Sequence, residues 1–126
     1  MKKFTLPILC ALLLGCQQNT DSASAVKGHE YLLLDASAGL EISLGFDGSS
    51  NDFHGQAINN YFGSYSLSGN KIRFSLTGST MMSGPREQMQ AEREYFINLD
   101  QMDTITVEGN QLQLQGKGKT LRFKQQ

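Results

Sequence analysis

From Tyr31 onward, apolar and polar residues alternate with the two-residue period of half-buried strands. Ile42, Leu44 and Phe46 fall on one face, and residues 47–52, dense in turn formers, predict a loop. Phe53, Gly55 and Ala57 share a face of the next strand, and Tyr61, Gly63, Tyr65 and Leu67 follow. Ser68-Gly69-Asn70 turns the chain into a strand with Ile72, Phe74 and Leu76 inward. Near the C-terminus Ile105 and Val107, then Leu112 and Leu114, then Leu121 and Phe123 predict three more strands with short turns between them. Connections this short favour antiparallel pairing, because a parallel neighbour needs a crossover of roughly a dozen residues.

One segment breaks the period. Residues 85–102 are rich in Glu, Gln, Arg, Met and Ala, which favour helix. Pro85 suits a helix start, and Glu87 falls in the first turn, where the dipole favours an acid. Met89, Phe96, Leu99 and Met102 form the apolar stripe expected to face the sheet, with Glu92 at its edge. The expected fold is mainly β (α+β): an antiparallel, barrel-like curled sheet with one α-helix before the last three strands.

The N-terminus reads differently. Lys2 and Lys3 precede an apolar run over residues 4–14, broken only by Thr5 and Pro7, and Gly15-Cys16 follows. This is the layout of a secretory signal, and the run is shorter than the roughly 20 residues a spanning helix needs. Leu13-Leu14-Gly15-Cys16 resembles the lipobox of bacterial lipoproteins. That resemblance implies cleavage before Cys16, a diacylglyceryl group on its thiol and acylation of the new amine; the alternative is an ordinary signal cut nearby, with Cys16 free. The expected organisation is signal peptide 1–15, a flexible polar tether 16–27 and one β-rich domain 28–126. Gln17 rather than aspartate after the cysteine favours the outer membrane, facing the periplasm, if the source is Gram-negative.

Loss of residues 1–15 removes Lys2 and Lys3, leaving 9 basic against 12 acidic residues, a net charge of −3. That balance gives no general attraction to nucleic acid. Cys10 leaves with the signal and Cys16 carries the lipid, so the domain has no cysteine for a disulfide or thiolate metal site. Anchoring through Cys16, an unknown protein partner, a monomeric state and no cofactor are the corresponding expectations.

With these elements placed, the domain resembles the META domain family of HslJ-like, heat-inducible lipoproteins. The family's central glycine, asparagine and aromatic loop is similar to Gly55-Gln56-Ala57-Ile58-Asn59-Asn60-Tyr61-Phe62-Gly63. The element before its helix is similar to Ser79-Thr80-Met81-Met82-Ser83. Many members carry cysteine where this chain has Ile58 and Ser83, and the joint loss fits two partners in space. The resemblance implies an envelope stress or secretion-linked lipoprotein, without assigning a reaction.

No nucleophile elbow, zinc-protease, Walker or dinucleotide motif occurs. His54 is expected to face solvent, opposite Phe53, and the 47–52 loop lacks the glycine and distant glutamate of a calcium loop. Glu87, Glu92 and Glu94 are expected on the solvated side of the helix, and Lys117, Lys119, Arg122 and Lys124 as charges protecting a sheet edge. The residues singled out are Asn59, Asn60 and Tyr61 with Thr80, Met81 and Met82. They read either as turn and core positions, with Met82 filling space under the helix, or as two loops forming one recognition surface. The leading functional expectation is a non-catalytic, membrane-tethered binding or accessory protein; the alternatives are an inhibitor of envelope or secreted proteases and a secretion pilot or chaperone.

Overall fold

The computed structural model describes residues 22–126, so the signal peptide, Cys16 and the first part of the expected tether lie outside the described residues. Eight strands form a ring in sequence order: β1 Glu30–Leu33, β2 Ser43–Phe46, β3 Asp52–Gln56, β4 Asn60–Ser68, β5 Lys71–Ser79, β6 Thr104–Glu108, β7 Gln111–Gly116 and β8 Lys119–Gln125. Every pairing is antiparallel, including the closing one between β8 and β1. Among the described residues two helices accompany the ring, α1 Ser22–Val26 and α2 Arg86–Gln101, the latter before the last three strands as expected.

The tether ends earlier than the sequence suggests. Ser22–Val26 is helical, Gly28 at φ 78° ends the turn, and its N–H reaches the Phe46 carbonyl at 2.9 Å. Val26 is fully buried, so this one apolar side chain docks a segment whose composition otherwise reads as linker. Lys27 Nζ then donates to the Ser50 carbonyl at 2.7 Å and to Asn51 Oδ1, in the β2–β3 loop, at 3.0 Å.

The core is the ring's interior. Phe53 and Phe74 meet edge to face at 5.2 Å, as do Phe46 and Tyr65 at 5.3 Å. Two glycines make room for these rings. Gly55 pairs with Tyr61 and Gly63 with Phe53, and a Cβ on either would collide with that ring and with a strand carbonyl. Each glycine is thus covered by the aromatic opposite it.

The ring is uneven at one junction. β5 pairs with β4 along its whole length but with β6 only at Lys71↔Thr104. Helix α2 packs beside β5. Leu76, expected in the core, is 38% exposed, because no strand lies beyond it and a bulge near Phe62/Gly63 breaks the alternation there. The edge-protecting role expected for the Lys119, Arg122 and Lys124 side chains also fails: β8 pairs with both β7 and β1 and is not an edge.

The stripe of α2 is rotated from the expected one. Its buried residues are Ala91, Glu92, Tyr95 and Leu99, followed by buried Met102 at the C-cap, while Met89 and Phe96 lie at the margin. Pro85 precedes the first turn without a side-chain cap, and Met89 N–H bonds the Pro85 carbonyl at 2.9 Å. The helix lies over the ring mouth formed by the β1–β2, β3–β4 and β7–β8 connections. Gln88 reaches Ala38, Glu92 reaches Asn59, and Gly116 lies so close to Gln101 and Met102 that no side chain fits there.

Candidate recognition site

The two segments singled out in the sequence meet at this mouth, and Asn59 joins them. β3 ends at Gln56, and the chain turns through Ala57 to Asn59, with Ala57 N–H donating to the Asn59 carbonyl at 2.9 Å. That turn aims the Asn59 side chain inward, where the residue is only 5% exposed. Asn59 N–H donates to Glu92 Oε2 at 2.8 Å, and Asn59 Nδ2 donates to Glu92 Oε1 at 3.1 Å and to the Met82 carbonyl at 3.2 Å. Asn59 Oδ1 accepts from Thr80 Oγ1 at 2.8 Å and from Met82 N–H.

These contacts use the amide on both sides. Its oxygen faces two donors and its nitrogen faces two acceptors, so the network fixes the orientation of the group. Toward Met82 the amide acts as a strand residue would, accepting from the N–H and donating to the C=O. Asn60 N–H donates to Thr80 Oγ1 at 3.1 Å, and Thr80 N–H to the Asn60 carbonyl at 3.0 Å, which extends the clamp by one residue.

Glu92 therefore corrects its sequence reading. It lies at the buried face of α2, 8% exposed, and both its oxygens accept from Asn59. A buried carboxyl group is tolerable only when its lone pairs are satisfied, and Asn59 supplies the donors. The signal was present in the spacing: Ala91, Tyr95, Leu99 and Met102 recur at intervals of four, four and three, and Glu92 adjoins that stripe. Glu87 and Glu94 are exposed, as expected.

Tyr61 belongs to the core side of the site. It is 1% exposed, its hydroxyl donates to the Ser43 carbonyl, and Tyr95 Oη lies 2.7 Å away. Since Tyr61 donates its proton to Ser43, Tyr95 is the donor within the pair. Burial pushes both phenols up from their ordinary range, so both stay protonated at neutral pH and act as a strut between β4 and α2. Phe96 leans on the Tyr61 ring at 5.2 Å.

The solvent side is apolar. Met81 is 92% exposed, Met82 52% and Phe62 50%. Phe62, which the sequence reading did not single out, faces outward from β4 opposite Gly78 and covers it. Of the six residues singled out, Asn59 and Tyr61 thus hold the site from inside. Asn60, Thr80, Met81 and Met82 form its outer surface. Met82 does not fill space under the helix.

The other candidates stay apart from this site. His54 is exposed and lies 3.2 Å from Glu30, bridging across Gly45, while His29 Nδ1 is 3.2 Å from Gln125 Nε2. Asp47 accepts the Ser49 and Ser50 N–H groups at 3.0 and 2.9 Å, and these bonds hold its carboxyl below the usual range. Among the described residues no group of three or more His, Cys, Asp or Glu is arranged to hold a metal ion.

Comparison with known proteins locates this arrangement. The solution structure of a protein from Burkholderia xenovorans superposes with a TM-score of 0.69 at 25% identity, covering 83% of this chain and 87% of that one. A second solution structure gives 0.60 at 17% identity, covering 79% of this chain and 91% of the other. The crystal structure of a DUF4847 family protein from Bacteroides vulgatus gives 0.53 at 16% identity, covering 94% and 71%. The latter two likenesses concern the fold alone. No curated protein matches the sequence. The family model described as META domain matches residues 22–126, which takes in both helices, all eight strands and the whole site.

Proposed function

Because the chain belongs to the META domain family, we propose that it is a non-catalytic binding or accessory protein of the cell envelope, anchored through lipidated Cys16. The observation that carries this reading is the exposed Met81, Met82 and Phe62 surface, held in place by a buried hydrogen-bonded hub. Exposed methionines are costly to leave in water, and their flexible thioethers adapt to varied apolar partners. An adaptable apolar surface of this kind suits the partner of a secretion pilot or chaperone. The anchor rests on the signal-like start and lipobox of residues 1–16.

The test uses the full-length protein in its own envelope. Met81→Asp combined with Met82→Asp should lose a protein that co-purifies with the wild type, while urea stability stays within about 0.5 kcal/mol, as for exposed positions. Cys16→Ser should leave the membrane fraction after a salt wash. Retention of the same proteins by the aspartate variant would refute the surface, and a membrane-bound Cys16→Ser protein would refute the anchor.

A further inference from the structure

Sulfur is readily oxidised in an exposed side chain, and its placement here is uneven. Of five methionines, Met1 belongs to the signal-like start, Met102 is 2% exposed and Met89 is half-buried. Met81 and Met82 are 92% and 52% exposed. Both cysteines, Cys10 and Cys16, precede the described residues, so no thiol on the domain competes with these two thioethers for an oxidant.

The frame under the pair does not use its side chains. Met82 is held by its main chain: its N–H donates to Asn59 Oδ1, and its carbonyl accepts from Asn59 Nδ2 at 3.2 Å. Thr80, one residue before Met81, is bound to Asn60 through its N–H and its hydroxyl. Residues 80–85 lie between β5 and α2 and belong to neither, so no strand register or helix turn depends on what the methionine side chains carry. A change at sulfur alters the surface and leaves the hub in place. Met102 is the opposite case. Its side chain is enclosed at the C-cap of α2, and an oxygen added there would be a buried acceptor in need of a donor.

We infer that Met81 and Met82 form a modification site, at which a peroxide oxidises the two exposed thioethers reversibly to sulfoxides. In each step the thioether sulfur attacks one peroxide oxygen, and the S–O bond forms as the O–O bond breaks. The departing hydroxide takes the proton of the transferred oxygen and leaves as water. Sulfur is oxidised by two electrons and the peroxide is reduced by two. A polar, chiral group then replaces a flexible apolar one, and the rim that includes Phe62 becomes polar while the fold stays intact. A methionine sulfoxide reductase reverses the step, with two thiols becoming a disulfide and the oxygen leaving as water. One consequence rests on the binding reading above: oxidation releases an apolar partner, and repair restores it.

The experiment treats the full-length protein, purified in detergent from its membrane, with hydrogen peroxide and maps sulfoxides by peptide mass spectrometry. Met81 and Met82 should oxidise more than about tenfold faster than Met102, which reacts only when the fold opens. The urea midpoint of the doubly oxidised protein should match that of the untreated one. The two epimer-specific reductases with dithiothreitol should then remove both oxygens from the folded protein. Oxidation of Met102 at a comparable rate would overturn the inference. So would a urea midpoint that falls as Met81 and Met82 oxidise, or sulfoxides that the reductases leave in place. Met81→Leu combined with Met82→Leu keeps the surface apolar. Treated with peroxide and then mixed with untreated envelope extract, this variant should retain the co-purifying protein that the treated wild type loses. Equal losses from the two would overturn the switch, as would full retention by the treated wild type of a protein that the aspartate variant loses. Retention by the aspartate variant itself refutes the binding reading instead, and the sulfoxide map is judged independently of it.

Discussion

Replacing Asn59 with alanine removes the side chain that joins three elements and leaves its backbone in place. Glu92 would keep the Asn59 N–H at 2.8 Å but lose both contacts from Nδ2, at 3.1 and 3.3 Å. Hydrogen bonds to a charged group contribute about 1.5–3 kcal/mol, and an acceptor left short of donors in a buried position costs more than the bond alone. Met82 and Thr80 lose the Oδ1 acceptor, and Met82 loses the Nδ2 donor to its carbonyl, at about 0.5–1.5 kcal/mol per bond, reduced where water can enter. These bonds share one group and do not add fully, so the expected loss is about 3–5 kcal/mol. Asn60→Ala is the control: Asn60 is exposed and joins the network through its main chain, so the change should stay within about 0.5 kcal/mol. Urea unfolding reads both, with the midpoint moving at constant slope. An Asn59→Ala loss below about 1 kcal/mol would refute the hub, because no arrangement with Glu92 dependent on Asn59 could be so indifferent.

Three further outcomes follow from the same geometry. Leu99→Ala should cost about 2–5 kcal/mol and Ile97→Ala less than about 0.5, since Leu99 is 1% and Ile97 54% exposed; equal effects would refute the observed rotation of α2. Burial raises the phenol pKa of Tyr61 and Tyr95 above 10.0, so the folded chain keeps protons that the unfolded chain releases. Their stabilisation is fully present below about pH 10 and falls as pH rises beyond it, and Tyr95→Phe should flatten that fall in urea midpoints taken from about pH 9 to 11. Finally, Ile58→Cys with Ser83→Cys should oxidise spontaneously, because Asn59 bonds Met82 and a Cβ on Gly84 would lie 3.2 Å from the Ile58 side chain. The bond closes a loop of about 26 residues, worth roughly 3–4 kcal/mol in chain entropy, and two free thiols in the folded double variant would show that the segments are not within bridging range.

The local pattern of the chain carries most of the fold. Alternation from Tyr31 to Phe123 specifies the strands, because a half-buried strand forces a period of two whatever it pairs with. Hairpin-length turns such as Lys117-Gly118, both at positive φ, specify antiparallel neighbours. Composition alone marks α2, and the paired motifs around Asn59 and Met82 mark the site. What those signals lack is any account of who lies opposite whom. The rotation of α2 by about one position depends on the mouth it covers, so Glu92 moved from the expected solvated side to the hub only when Asn59 came to meet it. Val26 reads as linker until a complete ring offers it a pocket. Leu76 reads as core until β6 is seen to pair with β5 at Lys71 alone. Burial, closure and the satisfaction of a buried carboxyl group are properties of residues far apart in sequence, and only the tertiary structure decides them.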